Sequence, residues 1–412
     1  MWATEEIPAT DPVALSRKLL EGSGEATSLA IAQHIFECIA GFNTDQRLHF
    51  FLSLALDFGV DEDAIQQAID NWEPGDSRAA RRLHFVSEPA SQELFRRLNR
   101  ISGGTAQLVK LREHLLDAMR QDSRLSMLDD DLKHLFRSWF NRGFLQLRRI
   151  DWTTSAEELE KIISYEAVHS IDSWNDLRQR VAAPDRRLYA FFHPALPKEP
   201  LIFVEVALTR SIPNAIGPIL TANRETINPE TATTAAFYSI SNCQRGLKGI
   251  SFGNFLIKQV VALLSAELPD IKTWVTLSPV PGLRRWMDRV YTGEMQDVPD
   301  EIRQLVAAQK QRDSVQAEKI RQLAAWYLLH QPGHNRRVSD PVAGFHLGNG
   351  ASLHDIHTDA DSSGNGEAQS YGIMVNYLYA TSSIESNHED FINDRDIAVS
   401  DTVKKLIPEI SR

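Results

Sequence analysis

The chain carries its chemistry-bearing residues in a few separated stretches, and the first is a turn. Gln244-Arg245-Gly246-Leu247-Lys248-Gly249-Ile250-Ser251-Phe252-Gly253 follows the strand-like Ala235-Ala236-Phe237-Tyr238-Ser239-Ile240. From Asn254 the period changes, and Phe255, Leu256, Val260, Leu263 and Leu264 recur at helical spacing. Where a strand turns into a helix through small residues, unpaired backbone N–H groups point outward and can hold an anion. No G-x-G-x-x-G occurs here and no Gly-Lys-Ser/Thr closes the turn, so it is neither a dinucleotide fingerprint nor a P-loop. Thr273-Trp274-Val275-Thr276-Leu277 reads as a second strand, which Pro279 and Pro281 stop, leaving the Ser278 hydroxyl at its carboxyl end. His346, between Phe345 and Leu347, offers an imidazole that ordinarily titrates near neutral pH and can supply a proton.

Each of these residues also has a purely structural reading. Ser278 would serve as the cap of a helix starting near Pro281, His346 as a hydrogen-bonded core histidine, and Tyr379 as packing. Arg245, Lys258, Arg284 and Arg285 read either as solvated cations or as groups that neutralise ligand phosphates. His354-Asp355-Ile356-His357, with Asp359 and Asp361 beyond it, has ligand-like residue types. As a calcium loop it is incomplete, with Ser363 at the fifth place and Ser370 where the closing Glu should stand, so a polar surface loop is expected and no metal.

The surrounding elements must hold these groups in place. Residues 1 to about 150 read as helices, with apolar faces of Leu48, Phe51, Leu52, Ala55 and Leu56, of Leu108, Leu111, Leu115, Leu116 and Met119, and of Leu132, Leu135, Phe136, Trp139 and Phe140. Thr44 is expected to cap the first of these and Gly59 to stop it. Beyond Ser173 strands appear: Leu188–Phe192 and Leu201–Leu208, joined by a proline-bearing link, and later Tyr371–Tyr379. Helices are expected over Ala317–Leu329, ended by Gln331-Pro332-Gly333, and over Val399–Ile407. The fold class is therefore α+β and multi-domain: an all-α bundle over 1–155, then an α/β domain with a mixed central sheet over 156–412.

At 412 residues the chain can bury two cores, and 42% hydrophobic with 24% charged residues is ordinary globular composition. A net charge of −11 argues against a general nucleic-acid partner. Cys38 and Cys243 are too few for a disulfide scaffold or a zinc site and suit a reducing compartment. The amino terminus lacks the pattern of a signal peptide, and no apolar run is long enough for a membrane span, so a cytoplasmic location is expected.

The turn resembles the pyrophosphate turn of the GNAT acyltransferases, with Lys248 where that family usually has Arg or Gln and Ser251 where a Gly belongs. Taken together, Lys248–Lys258, Leu277-Ser278-Pro279-Val280-Pro281-Gly282, Asp340–Ala351 and Met374-Val375-Asn376-Tyr377-Leu378-Tyr379 resemble malonyl-CoA decarboxylase in order and spacing. That resemblance implies a helical amino-terminal domain, a GNAT-like catalytic domain, and Ser278 and His346 as the catalytic pair, with Tyr379 near the acyl end of the ligand. It places the coenzyme A grip on Lys248, Gly249, Ile250, Ser251, Phe252, Gly253 and Asn254. Some relatives carry a glutamate where this chain has Ser251, so no carboxylate role is carried over there.

Losing CO2 from a malonyl thioester leaves electron density on the α-carbon and the thioester oxygen, which calls for hydrogen-bond donors and a proton source. The thioester is its own electron sink, so no cofactor is expected. The resemblance implies malonyl-CoA as substrate, Ser278 as hydrogen-bonding partner and proton acceptor, His346 as proton donor, and a homotetramer built as a dimer of dimers. Two other functions fit parts of the pattern: an acyl-CoA-dependent N-acyltransferase of the GNAT type, which would release free coenzyme A when given an amine, and a non-catalytic malonyl-CoA-binding protein.

Overall fold

Helices fill the amino-terminal part of the chain, and local chemistry fixes most of their ends. The computed structural model describes residues 11–22, 24–250, 253–295, 297–310, 316–330, 340–394 and 396–407. The chain divides into two units: Met1–Gln146 with Phe192–Pro200 and Gln244–Phe252, and Leu147–Phe191 with Leu201–Cys243 and Gly253–Arg412.

In the first unit the helix Thr44–Asp57 starts one residue earlier than expected. Asn43, not Thr44, is its cap: the Asn43 side chain accepts from Gln46 N while the Gln46 side chain accepts from Asn43 N, a reciprocal box that satisfies two otherwise unpaired donors. The helix stops at Asp57 with Phe58 as its cap, before Gly59. Its buried face is Phe50, Phe51 and Leu54, and Leu56 is 74% exposed. Two overlapping apolar stripes were available at helical spacing, and the one carrying two phenylalanines was buried because it removes more apolar area from water. The helices Gly104–Ala118 and Ser126–Trp139 bury Leu108, Leu111 and Leu115, and Leu132, Leu135 and Phe136, as their periodicity requires. Between them Arg112, 1% exposed, reaches Asp129 at 2.7 Å and the Gly246 carbonyl at 2.6 Å.

Among the described residues the second unit is built on a mixed sheet of eight strands: β1 (Gln146–Ile150), β2 (Arg186–Phe192), β3 (Ile202–Thr209), β4 (Thr234–Asn242), β5 (Thr273–Thr276), β6 (Ser278–Pro279), β7 (Ser352–His357) and β8 (Met374–Leu378). Their order is β1-β2-β3-β4-β5-β8-β6, with β7 also on β8. β2, β3 and β4 run antiparallel, whereas β4 and β5 pair in parallel through Phe237 and Thr276, because the helix Gly253–Glu267 carries the chain back between them. The strand, turn, helix, strand unit read from the sequence is thus present. On that helix Leu256, Ile257, Val260 and Leu264 are buried, but Leu263 is 49% exposed. A bulge in the β3/β4 register makes Tyr238 an extra residue opposite Glu205 and Val206.

The helix Ala317–Leu329 has the expected bounds, although Gln331-Pro332-Gly333 lie outside the described residues. The terminal helix is shorter than expected, Asp401–Lys404, and Val399 instead bridges to Leu353. His354-Asp355-Ile356-His357 is not a surface loop: it forms most of β7, paired with Met374–Leu378, and a bulge at His354 sets the buried Leu353 and Ile356 opposite Tyr377 and Val375, two residues on one face of β8. Among the described residues no three His, Cys, Asp or Glu side chains come together as metal ligands, and no helix is long and apolar enough to cross a membrane. A helical amino-terminal region followed by a mixed-sheet domain is the architecture that was expected.

Candidate active site

Thr276 and Ser278 are two residues apart in an extended chain, so their side chains share one face, and Leu277 between them packs with Tyr238 and Met374 on the other. Tyr377 and Tyr379 likewise share a face at the end of β8, where the Tyr379 N–H is anchored on the Trp274 carbonyl at 2.8 Å. His346 comes from elsewhere, the helix Pro341–Gly348. Asp340 caps that helix by accepting from Val342 N and Ala343 N, and Pro341 sits at its first position, where a missing N–H costs nothing. This Asp-Pro start was a legible signal for a helix that the sequence reading did not draw.

These three elements assemble a continuous chain of hydrogen bonds. Tyr379 Oη lies 2.8 Å from His346 Nδ1, His346 Nε2 lies 3.1 Å from Ser278 Oγ, and Ser278 Oγ donates to Thr276 Oγ1 at 2.9 Å. All are buried: Ser278 is 5% exposed, His346 3% and Tyr379 2%. Ser278 caps no helix, since the next one starts at Leu283 with Gly282 as its cap. The Tyr377 ring stacks on the imidazole at 4.7 Å and 24°.

Burial corrects one expectation about His346. Removal from water penalises the imidazolium and drives its pKa down to about 3, so the resting imidazole is neutral rather than titrating near pH 7. Burial pushes the Tyr379 phenol well above its ordinary value, against a smaller lowering by Asn349, so it stays protonated. A neutral imidazole has one N–H and one lone pair. With Ser278 donating to Thr276, the consistent assignment is Tyr379 O–H to Nδ1 and Nε2–H to Ser278 Oγ. Sequence reasoning missed Thr276 and its support: Thr276 Oγ1 also accepts from Tyr377 N at 3.2 Å, and the Asn376 amide holds the Thr276 carbonyl at 2.8 Å while accepting from His357 Nε2 at 2.5 Å.

The remaining site residues are placed separately. In the first unit Lys248 and Gly249 are exposed and Ile250 is buried. Gly246 lies against the helix Gly104–Ala118 so closely that a Cβ would stand 2.0 Å from the Val109 carbonyl oxygen. Ser251 and Phe252 lie outside the described residues, and Gly253 and Asn254 open the helix Gly253–Glu267. Of the four candidate phosphate cations, Arg245 is paired with Asp117, Lys258 is 2.6 Å from Glu385, Arg284 donates to the Glu367 carbonyl at 3.0 Å and covers the Tyr371 ring, and Arg285 is exposed. A cavity of about 580 Å³ elsewhere in the sheet unit is lined by Glu166, His169, Arg180 and Asp361. None of Ser278, His346 and Tyr379 lines it, and its Arg180 is already taken by Glu205 at 3.0 Å and by the Ser170 carbonyl. The reactive groups, not this cavity, mark the candidate site.

Residues 58–140 match the family model described as malonyl-CoA decarboxylase N-terminal domain, and residues 143–412 match the model described as malonyl-CoA decarboxylase C-terminal domain. Two solved structures are similar along nearly the whole chain. Malonyl-CoA decarboxylase from Rhodopseudomonas palustris is 49% identical, with a TM-score of 0.90 over 96% of this chain and 98% of that one. The protein of the same name from Agrobacterium vitis is 46% identical, with a TM-score of 0.89 over 97% of this chain and 100% of that one. The mitochondrial malonyl-CoA decarboxylase of Anser anser anser is 35% identical over 368 residues, 81% of this chain and 73% of that protein. Matches to both halves in order, at such coverage, place the chain in the malonyl-CoA decarboxylase family, and it is an enzyme of the carboxy-lyase class.

Proposed function

We propose that this chain decarboxylates malonyl-CoA to acetyl-CoA and CO2 at the Ser278, His346 and Tyr379 cluster. The observation that carries the reading is the unbroken chain from Tyr379 through His346 to Ser278, buried in a member of this family. A buried neutral imidazole gains basicity when an anion arrives beside it. The malonyl carboxylate supplies that anion, and His346 takes up a proton from solvent as substrate binds. The bond between the α-carbon and the carboxylate then breaks, CO2 leaves, and its electron pair is held by the thioester as an enolate. Ser278 turns its hydroxyl hydrogen from Thr276 to the α-carbon while accepting the Nε2 proton of His346, which is left neutral with its remaining proton on Nδ1 until exchange with solvent restores the resting tautomer. One proton is consumed for each CO2 released, and the thioester serves as electron sink without metal or organic cofactor. The low dielectric of the buried site favours this step, because the dispersed charge of the enolate suffers less from lost solvation than the compact carboxylate does.

The turn Lys248–Asn254 holds the coenzyme A diphosphate in this reading, and the amino-terminal segment 1–155, helical up to β1, joins subunits into a homotetramer of cytoplasmic location. A monomeric mass by light scattering at micromolar concentration would refute the assembly.

The deciding experiment is stoichiometric detection of acetyl-CoA and CO2 from malonyl-CoA, with chelator present and no amine, for wild type, Ser278→Ala and His346→Ala. Turnover by wild type with losses of about 10²- to 10⁴-fold in both variants is expected. Fully active variants would refute the site, amine-dependent release of free coenzyme A would favour acyl transfer, and saturable binding without turnover would favour a binding protein.

A further inference from the structure

Ser278 and His346 are 68 residues apart and sit on different elements, so something besides their own 3.1 Å hydrogen bond must fix their separation. One buried carboxylate spans the two segments. Asp340 is 1% exposed and uses both oxygens. Oδ1 accepts from Val342 N at 3.0 Å and Ala343 N at 3.1 Å, at the start of the helix that carries His346. Oδ2 accepts from Gly282 N at 3.1 Å, four residues after Ser278, and faces Tyr327 Oη at 3.4 Å. The Gly282 Cα is crowded on this same side: a Cβ there would stand 2.0 Å from Tyr327 Oη and 3.2 Å from Asp340 Oδ2. The loop therefore approaches the carboxylate only because residue 282 is glycine.

We propose that Asp340 is a positioning residue for the decarboxylation, a strut that sets the distance from His346 Nε2 to Ser278 Oγ by tying the Gly282 turn to the start of the His346 helix. The inference rests on the functional reading of Ser278 and His346 given above. Two features separate this role from simple helix capping. Capping uses Oδ1 alone, and a serine or asparagine would do it equally well. The bond to Gly282 uses Oδ2 and satisfies the N–H of the cap residue of a second helix, Leu283–Tyr291, so one carboxylate ties together the starts of two helices, which capping of its own helix does not require. Burial opposes the charged carboxylate and raises its pKa, and the three backbone donors work against that rise.

Asp340→Asn separates the two functions, because the amide keeps one oxygen for Val342 and Ala343 and turns an NH2 toward the Gly282 N–H. The experiment is steady-state kinetics of the full chain with malonyl-CoA, together with NMR of the histidine-labelled free protein, in which the His346 ring signal is assigned by its loss in His346→Gln. Asp340→Asn is expected to lower kcat by about 10- to 100-fold with KM within about threefold of wild type, the scale of a sub-ångström to 1 Å misplacement. The His346 ring signal should shift in the free protein while thermal unfolding stays cooperative. A folded Asp340→Asn with wild-type kcat and an unmoved His346 signal would overturn the proposal. If Asp340→Asn does not fold, Gly282→Ala decides: a loss of kcat that Tyr327→Phe restores by removing the colliding hydroxyl supports the strut, and full activity of Gly282→Ala overturns it. The NMR shift is read without substrate, so failure of the wild type to turn over malonyl-CoA would remove the functional reading and leave the geometric claim independently measured.

Discussion

The Tyr379 hydroxyl sits 2.8 Å from Nδ1 of His346, the nitrogen that does not face Ser278. Because the imidazole is neutral and the phenol protonated, this contact selects the tautomer and aims the only ring N–H at Ser278. Removing the hydroxyl frees the imidazole to carry its proton on either nitrogen.

Tyr379→Phe is accordingly expected to reduce kcat by about 10²-fold with little change in stability. Nitrogen chemical shifts of the histidine ring supply the check: the wild type should show Nε2 protonated, and the variant a mixture of tautomers. An unchanged tautomer with unchanged kcat would remove Tyr379 from the site.

Proton uptake should accompany binding of the carboxylate. Calorimetric titration of Ser278→Ala with malonyl-CoA at pH 7, in two buffers of different ionisation enthalpy, is expected to show uptake approaching one proton per site. Acetyl-CoA, which lacks the carboxylate, should show none, and nor should Ser278→Ala combined with His346→Gln. Equal heats in the two buffers for malonyl-CoA would show that His346 stays neutral in the complex.

His346 also carries a stability signature with a definite sign. Its pKa falls from 6.5 in the unfolded chain to about 3 when buried. Between those values the unfolded chain binds a proton that the folded chain does not, so the contribution of this group to stability is full above pH 6.5 and is lost as pH falls toward 3. The slope approaches 1.4 kcal/mol per pH unit at most. Urea unfolding at pH 7.5 and pH 5 should show the wild type losing on the order of 2 kcal/mol more than His346→Gln over that interval. Parallel losses would mean the folded histidine titrates normally.

Arg112 tests how the Gly246 turn is held on its helix. Its guanidinium joins Asp129 and the Gly246 carbonyl while 1% exposed, and Asp129 keeps only Lys133 at 2.6 Å if Arg112 is lost. Arg112→Ala is expected to destabilise the protein by about 3 kcal/mol in urea unfolding, since it removes one of two cationic partners of a buried carboxylate and the donor to a buried carbonyl. Gly246→Ala should act on the same contact from the other side, raising the KM for malonyl-CoA several-fold as the added methyl pushes the turn off Val109. A KM equal to wild type would detach the turn from substrate binding.

The sequence by itself determined what depends on near neighbours along the chain. Helical spacing fixed Ala317–Leu329 to the residue, and the change from strand to helical period located β4, the turn, the helix after it and β5. The resemblance to a known family also singled out Ser278, His346 and Tyr379, which the fold then brought together. The tertiary structure decided everything that sums over distant neighbours. Leu56 and Leu263 fit their apolar stripes and are exposed, because spacing defines a stripe but only packing chooses which stripe faces the core. His354–His357 reads as a polar loop until β8 supplies its partners, since strand pairing is a non-local hydrogen-bond pattern. Thr276 and Asp340 acquire their connections only when chain segments far apart in sequence meet. The neutrality of His346 comes last, because a desolvation penalty belongs to the whole surroundings of a ring and to no residue beside it in the chain.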